Sequence, residues 1–150
     1  MIKRLNQQEE KTAKAIQKIQ KPAYQVEAKL MGFEGIPQLN ESILEIQNSG
    51  EVFIGYIEND LKGFISYKEE NGVIDICRLV VAPEHFRQGI ARKLLAFLLE
   101  QFDGYGFIVS TGSANTPAKK LYISFGFIES RSFEVAPGIY CTEFQKKKQR

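Results

Sequence analysis

The chain has 150 residues, 43% of them hydrophobic and 25% charged, the size and balance of one domain with its own core rather than of two domains. Its formal net charge of +2 is concentrated at the end: Lys146, Lys147, Lys148 and Arg150 supply four of the 20 basic residues, and the rest carries 16 basic against 18 acidic residues, a net −2 that argues against a nucleic-acid-binding face. Cys77 and Cys141 sit far apart in sequence and form no paired CxxC spacing, so neither a zinc cluster nor a disulfide scaffold is indicated, and no apolar run suits a membrane span or secretory leader; the expectation is one metal-free cytoplasmic domain over residues 1–150 with no membrane partner, in which 146–150 form a frayed basic tail.

Met1 to Leu5 reads as a short strand. Asn6 then offers an N-cap to a helix running to Gln20, with Ala13, Ile16 and Ile19 on one stripe and Pro22 ending it. Ala23 to Met31 reads as a second helix stopped by Gly32, and Asn40 or Ser42 caps a third that ends near Asn48-Ser49-Gly50. Glu51 to Glu58 and Lys62 to Lys68 are rich in β-branched and aromatic residues and flank Asn59-Asp60-Leu61, a hairpin turn. Asn71-Gly72 turns the chain into a third antiparallel strand, Val73 to Val81.

After Pro83 the hydrophobic period changes: Ile90, Leu94, Phe97 and Leu98, joined by Ala91, Leu95 and Phe102, mark a helix that Asp103-Gly104 stops. Phe107 to Thr111 is a short strand. Thr116-Pro117 opens a helix with Ala118, Leu121, Tyr122 and Phe125 on one face and Gly126 at its end. Phe127 to Val135 and Ile139 to Phe144 are two last strands around Pro137-Gly138. This order describes an α/β or α+β sheet covered by helices.

Two segments carry chemistry. From Leu79 to Arg92 a strand, a proline-marked break and a helix start follow one another, with Gly89 and Ala91 too small to obstruct close approach. The unpaired N–H groups of such a helix start favour an anion, and Arg87 and Arg92 add charge, so a diphosphate suits the turn; an ordinary strand-to-helix connection has the same spacing. There is no GxxxxGK[ST] and no GxGxxG after an early strand, which disfavours kinases, ATPases and dinucleotide-dependent dehydrogenases. The second segment runs from Asn115 to Phe127 in the form N-x-x-A-x-x-L-Y-x-x-x-G-F; alone it is a capped amphipathic helix with Tyr122 in the core.

Together and in this order, the two segments resemble the signatures of the GNAT superfamily of acyl-CoA-dependent N-acetyltransferases, over Val73 to Phe127. The resemblance implies a mixed, mostly antiparallel twisted sheet flanked by helices, with splayed central strands holding CoA. Val81, Pro83, Gly89 and Ala91 match the first signature, and Phe86 departs from it where the family carries Gln or Arg. By resemblance the backbone N–H groups of Arg87, Gln88, Gly89, Ile90, Ala91 and Arg92 hold the pyrophosphate. The pantetheine arm pairs with the edge at Leu79, Val80 and Val81 and bonds to Asn115. Tyr122 is the general acid, a phenol of pKa about 10 meeting a thiolate whose conjugate acid lies near about 8.5.

The general base has several candidates. Asp75 comes first, on the strand leading into the loop and with the side-chain parity of Cys77, Leu79 and Val81; a solvated residue after the Asn71-Gly72 turn fits it equally. Glu34, Glu134 and Glu143 lie on other segments from which the family builds substrate pockets. His85, the single histidine, reads as a surface residue or pyrophosphate neighbour, and neither cysteine has a partner that would activate it. The implied reaction is direct transfer from acetyl-CoA to a primary amine, without an acyl-enzyme. A small-molecule amine is the expected acceptor, because the chain carries no appended recognition domain. A protein N-terminal or lysine acetyltransferase and a non-catalytic acyl-CoA-binding module are the alternatives, and a homodimer is compatible with each.

Overall fold

The computed structural model describes residues 1–148. In chain order these form β1 (Ile2–Leu5), α1 (Glu10–Met31), α2 (Ile43–Gln47), β2 (Val52–Glu58), β3 (Asp60–Glu70), β4 (Val73–Val81), α3 (Ile90–Gln101), β5 (Gly106–Gly112), α4 (Thr116–Ser124), β6 (Ile128–Ala136) and β7 (Ile139–Lys146). The strands make one sheet, β1-β2-β3-β4-β5-β7-β6, in which only β4 and β5 run parallel. Adjacent residues point to opposite faces, as a strand's two-residue period requires. Phe53 and Phe64 meet Ala13, Ile16 and Ile46 of α1 and α2, whereas Ile54 and Ile65 meet Leu94, Leu95 and Leu98 of α3 on the other face.

The first departure from the sequence reading is that α1 is one helix of 22 residues with Pro22 inside it. A proline in a helix interior removes a hydrogen bond and costs about 3 kcal/mol. Here Ile16, Ile19 and Gln20 before it and Ala28 after it are all buried, so continued packing offsets that cost. Asn6 does not cap the helix; its side chain accepts from the N–H of Gln8, and Glu9 occupies the cap position. Gly32 ends α1 in the left-handed conformation, as its position predicts. Ser42 caps α2 in a reciprocal capping box with Glu45.

The β2–β3 turn is tighter than read, with Glu58 opposite Asp60 and Asn59 alone at the tip at φ 71°. The basic tail is partly ordered: Lys146 ends β7 and Lys148 Nζ donates to the Asn71 carbonyl at 2.9 Å. Gln149 and Arg150, the remainder of the expected frayed tail, lie outside the described residues.

Two irregularities of β4 decide where a site can form. Ser66 pairs with Arg78 but Tyr67 pairs with Ile76, so Cys77 is an extra residue, a bulge. A bulge inverts the facing of everything beyond it: Ile74 and Ile76 pack on the α3 side, whereas Val80 packs on the α1 side. The parity expected for Asp75 is therefore corrected. Asp75 shares a face with Arg78 and Val80 across the bulge, not with Leu79 and Val81. The second irregularity is that β4 and β5 pair only from Val73–Gly106 to Ile76–Val109. Beyond that rung β5 pairs with β7 alone, through Gly112–Cys141, and the two central strands diverge.

Candidate active site

The divergence opens a cavity of about 420 Å³, walled by Ile76 to Leu79 of β4, Val109 to Gly112 of β5, the C-terminal half of α1 and the segment after it, and the first turns of α4. An unzipped pair of strands leaves backbone donors and acceptors without ladder partners, so an amide-bearing chain laid along Leu79, Val80 and Val81 could supply the missing bonds.

At the outer end of β4, a single helical turn (Pro83–His85) is followed by Arg87 at φ 65° and Gly89 at φ 78°, and α3 starts at Ile90. Alternation of left-handed residues with the helix start turns successive N–H groups toward one side. Among the described residues, the N–H groups of Arg87 to Arg92 have no backbone acceptor, while those on either side are used, His85 to Ala82 and Lys93 to Gly89. A Cβ at Gly89 would meet nothing within 4 Å, so the backbone there is open to an incoming group. These are the features an anionic diphosphate needs. Phe86 is exposed beside this turn, and Arg87 and Gln88 are exposed within it. Arg92 contributes less charge than its position suggests, because its guanidinium lies over the Phe125 ring and donates to Ser124 Oγ at 3.1 Å.

At the inner end, Tyr122 on α4 packs its ring against Phe127 and Phe144 and is 4% exposed. Its hydroxyl has no hydrogen bond among the described residues, yet no buried side-chain oxygen is left unpartnered, so the hydroxyl is the part of the ring that meets the cavity. Burial pushes its pKa well above the usual phenol range, and the nearby Glu27 carboxylate pushes the same way. The phenol therefore stays protonated. Asn115 caps α4, its Oδ1 accepting from the Ala118 N–H at 3.3 Å, while its Nδ2 donates to Glu27 Oε1 at 3.3 Å.

Glu27 was missed in the sequence. It lies on α1 beyond Pro22, accepts from Thr111 Oγ1 as well as Asn115, and is the one carboxylate lining the cavity among the described residues. Burial raises its pKa above the ordinary glutamate value, against the lowering effect of its hydrogen bonds to Asn115, Thr111 and the Gly112 backbone. The available signal was the stripe Gln20, Tyr24, Glu27, Met31 at helical spacing, legible once Pro22 is not taken as a stop.

The four carboxylates considered as bases stand elsewhere. Asp75 is exposed, outside the cavity lining, and its pKa is raised by partial desolvation. Glu34 is exposed, Glu134 accepts from the Gly138 N–H at a hairpin end, and Glu143 is held by Ser130, Arg131 and Gln145. His85 lies near Lys62 Nζ, at 3.4 Å, away from the cavity. Cys77 and Cys141 both line the cavity, but burial pushes the Cys77 thiol up to about 12 and raises that of Cys141, which leaves neither as a thiolate near neutral pH. In the cavity wall, buried Arg78 is bound to Glu41, to Glu51 and to Gln20 Oε1, which ties β4 to α1 and to the chain entering α2 and β2.

The family profile described as the acetyltransferase (GNAT) family matches residues 13–127, and the chain belongs to that family. It is 41% identical over 146 residues to UPF0157 protein YqkA of Bacillus subtilis (strain 168), an alignment covering 96% of this chain and 43% of that protein. The chain thus spans less than half the length of this curated relative. Among solved structures it is similar to the ribosomal-protein-alanine N-acetyltransferase of Brucella melitensis, at TM-score 0.72 and 19% identity over 98% of this chain and 99% of the other. It is likewise similar to the PaiA N-acetyltransferase of Thermoplasma acidophilum in complex with coenzyme A, at TM-score 0.71 and 18% identity over 99% and 98%. At such identities these likenesses show a shared fold, the mixed, mostly antiparallel sheet flanked by helices expected from the two sequence signatures. Among the described residues no helix is long and apolar enough to cross a membrane.

Proposed function

We propose that this chain transfers an acetyl group from acetyl-CoA to a primary amine by direct attack, and that the acceptor is a small molecule. The observation carrying the reading is the parting of β4 from β5 beyond Ile76–Val109, with the Tyr122 hydroxyl lining the opening and unpaired N–H groups in the turn that follows β4. When bound, acetyl-CoA supplies a thioester acetyl group. The N–H groups of Arg87 to Arg92 would hold its pyrophosphate, and Leu79, Val80, Val81 and Asn115 its amide-bearing arm.

The chain's own residues then have defined proton work. The acceptor arrives as an ammonium and must lose a proton before its nitrogen can attack. Tyr122, kept protonated by burial, hydrogen-bonds the sulfur as the C–S bond breaks and passes it a proton. The second N–H proton of the reacting amine restores the phenol, so the balance is one amide, one free thiol and one proton released. A phenol above the thiol range delivers its proton only as negative charge builds on sulfur, which suits a group that must not ionise beforehand. No acyl-enzyme is needed, and the protonated cysteines favour none.

The Brucella melitensis neighbour, whose name gives a ribosomal-protein alanine as acceptor, favours a protein N-terminus as the second reading. A thiol-release assay with acetyl-CoA over amines, polyamines, amino acids and peptides tests both. Turnover of small amines above that of peptides supports the first reading, the reverse order the second, and CoA binding without thiol release from acetyl-CoA in the presence of any acceptor supports a non-catalytic module.

A further inference from the structure

We infer that the acceptor is a monoamine with an apolar body and no carboxylate, its ammonium held by Glu27, which takes up the first proton. This rests on the transferase reading above and names the substrate class of the same site.

The charge inventory of the cavity carries it. Among the described residues lining it, Glu27 is the single carboxylate and Arg78 the single cation. Arg78 is not available to a ligand, since its Nε and both terminal nitrogens are committed to Glu51, Glu41 and Gln20. A free amino acid would bring a carboxylate into a site whose remaining charge is negative and which has no cation to receive it. A polyamine would bring a second ammonium against Met31, Phe33, Ile36 and Val135, with no second carboxylate to meet it. A single ammonium on an apolar body satisfies both ends. Its charge meets Glu27, while the walls cover its carbon skeleton.

Placement supports the proton step. Through Asn115, Glu27 touches the first turn of the helix that carries Tyr122, and it raises the Tyr122 pKa electrostatically, so the two groups share the cavity's inner end. The ammonium loses its proton to a carboxylate oxygen, the neutral nitrogen attacks, and Glu27 returns the proton to solvent through the open mouth. The Tyr24 hydroxyl, on the same helix and lining the same cavity, is kept neutral by burial and adds no charge that would alter the inventory.

The test compares phenethylamine, phenylalanine, phenylalaninamide and spermidine, by thiol release and by titration of the CoA-loaded protein, in wild type and in Glu27→Gln, which keeps the side chain's size. The expected result is kcat/KM for phenethylamine at least about tenfold above that for phenylalanine and spermidine, with phenylalaninamide recovering most of the difference because only the carboxylate was at fault. Glu27→Gln should lower kcat/KM for phenethylamine by about 10²–10⁴ while CoA still raises the melting temperature. It should spare trifluoroethylamine, which is already neutral near pH 7, far more than phenethylamine. Equal use of phenylalanine or spermidine, or an unimpaired Glu27→Gln enzyme, would overturn the inference. Binding of phenethylamine that depends on Glu27 without any thiol release would overturn the transferase reading and support the pocket assignment.

Discussion

Asn115 and Glu27, 88 residues apart, meet at 3.3 Å, and the same amide that caps α4 holds the carboxylate that α1 carries into the cavity. The Asn115 side chain thus works at both ends: Oδ1 fixes the start of the helix bearing Tyr122, and one Nδ2 hydrogen fixes the group proposed to receive the acceptor, which leaves the second Nδ2 hydrogen for the amide-bearing arm.

Tyr122→Phe keeps the ring against Phe127 and Phe144 and removes its only acidic proton. Folding and CoA affinity should survive, and kcat should fall by about 10²–10⁴. Steady-state kinetics with acetyl-CoA and with an acetyl donor bearing a more acidic thiol check this, since the better leaving group should rescue the variant selectively. Normal kcat on both donors would leave Tyr122 as core alone.

Gly89→Val tests the proposed diphosphate turn. At φ 78° any side chain is strained, by roughly 1–2 kcal/mol, and a β-branched one also covers N–H groups that are open here. CoA should lose most of its stabilising effect on thermal unfolding, while the free protein unfolds only slightly earlier. Wild-type CoA affinity in the folded variant would refute the assignment.

Arg78→Met leaves Glu41 and Glu51 facing one another at a buried site. Removing one partner of such a cluster costs about 3–5 kcal/mol, read from urea unfolding. Adding Glu41→Gln and Glu51→Gln should recover much of the loss. A near-neutral single variant would show that the cluster is solvated enough to dispense with its cation.

Glu27 also predicts a pH signature of stability. Its folded pKa is raised by burial, so its favourable contribution is complete below the ordinary glutamate value and is lost as pH rises through the folded one. Glu27→Gln cannot ionise and escapes that loss. Relative to wild type, its melting temperature should therefore rise as pH increases from about 4 toward neutrality, without ligand. A constant difference across that range would mean that Glu27 carries no net desolvation cost.

Local chemistry was enough to determine most of the framework. Asn71-Gly72 forces a tight turn because both residues accept positive φ, Gly32 and Ser42 end and begin helices through their own caps, and the changing hydrophobic period separates β4 from α3. The open turn around Gly89 was legible for the same reason, since its donors belong to consecutive residues. What depended on distant packing was not. Pro22 stops a helix by local rules, yet buried side chains on both sides of it keep α1 continuous and carry Glu27 to Thr111 and Asn115. Likewise, alternation along β4 places Asp75 with Leu79 and Val81, but the bulge at Cys77, seen only against the register of β3, exchanges the faces. Period and capping act over a few residues, so sequence alone could supply most of the elements and the open turn around Gly89. The charge lining the cavity is set by which residues α1, β5 and α4 bring together across the sheet, and only tertiary structure decides that.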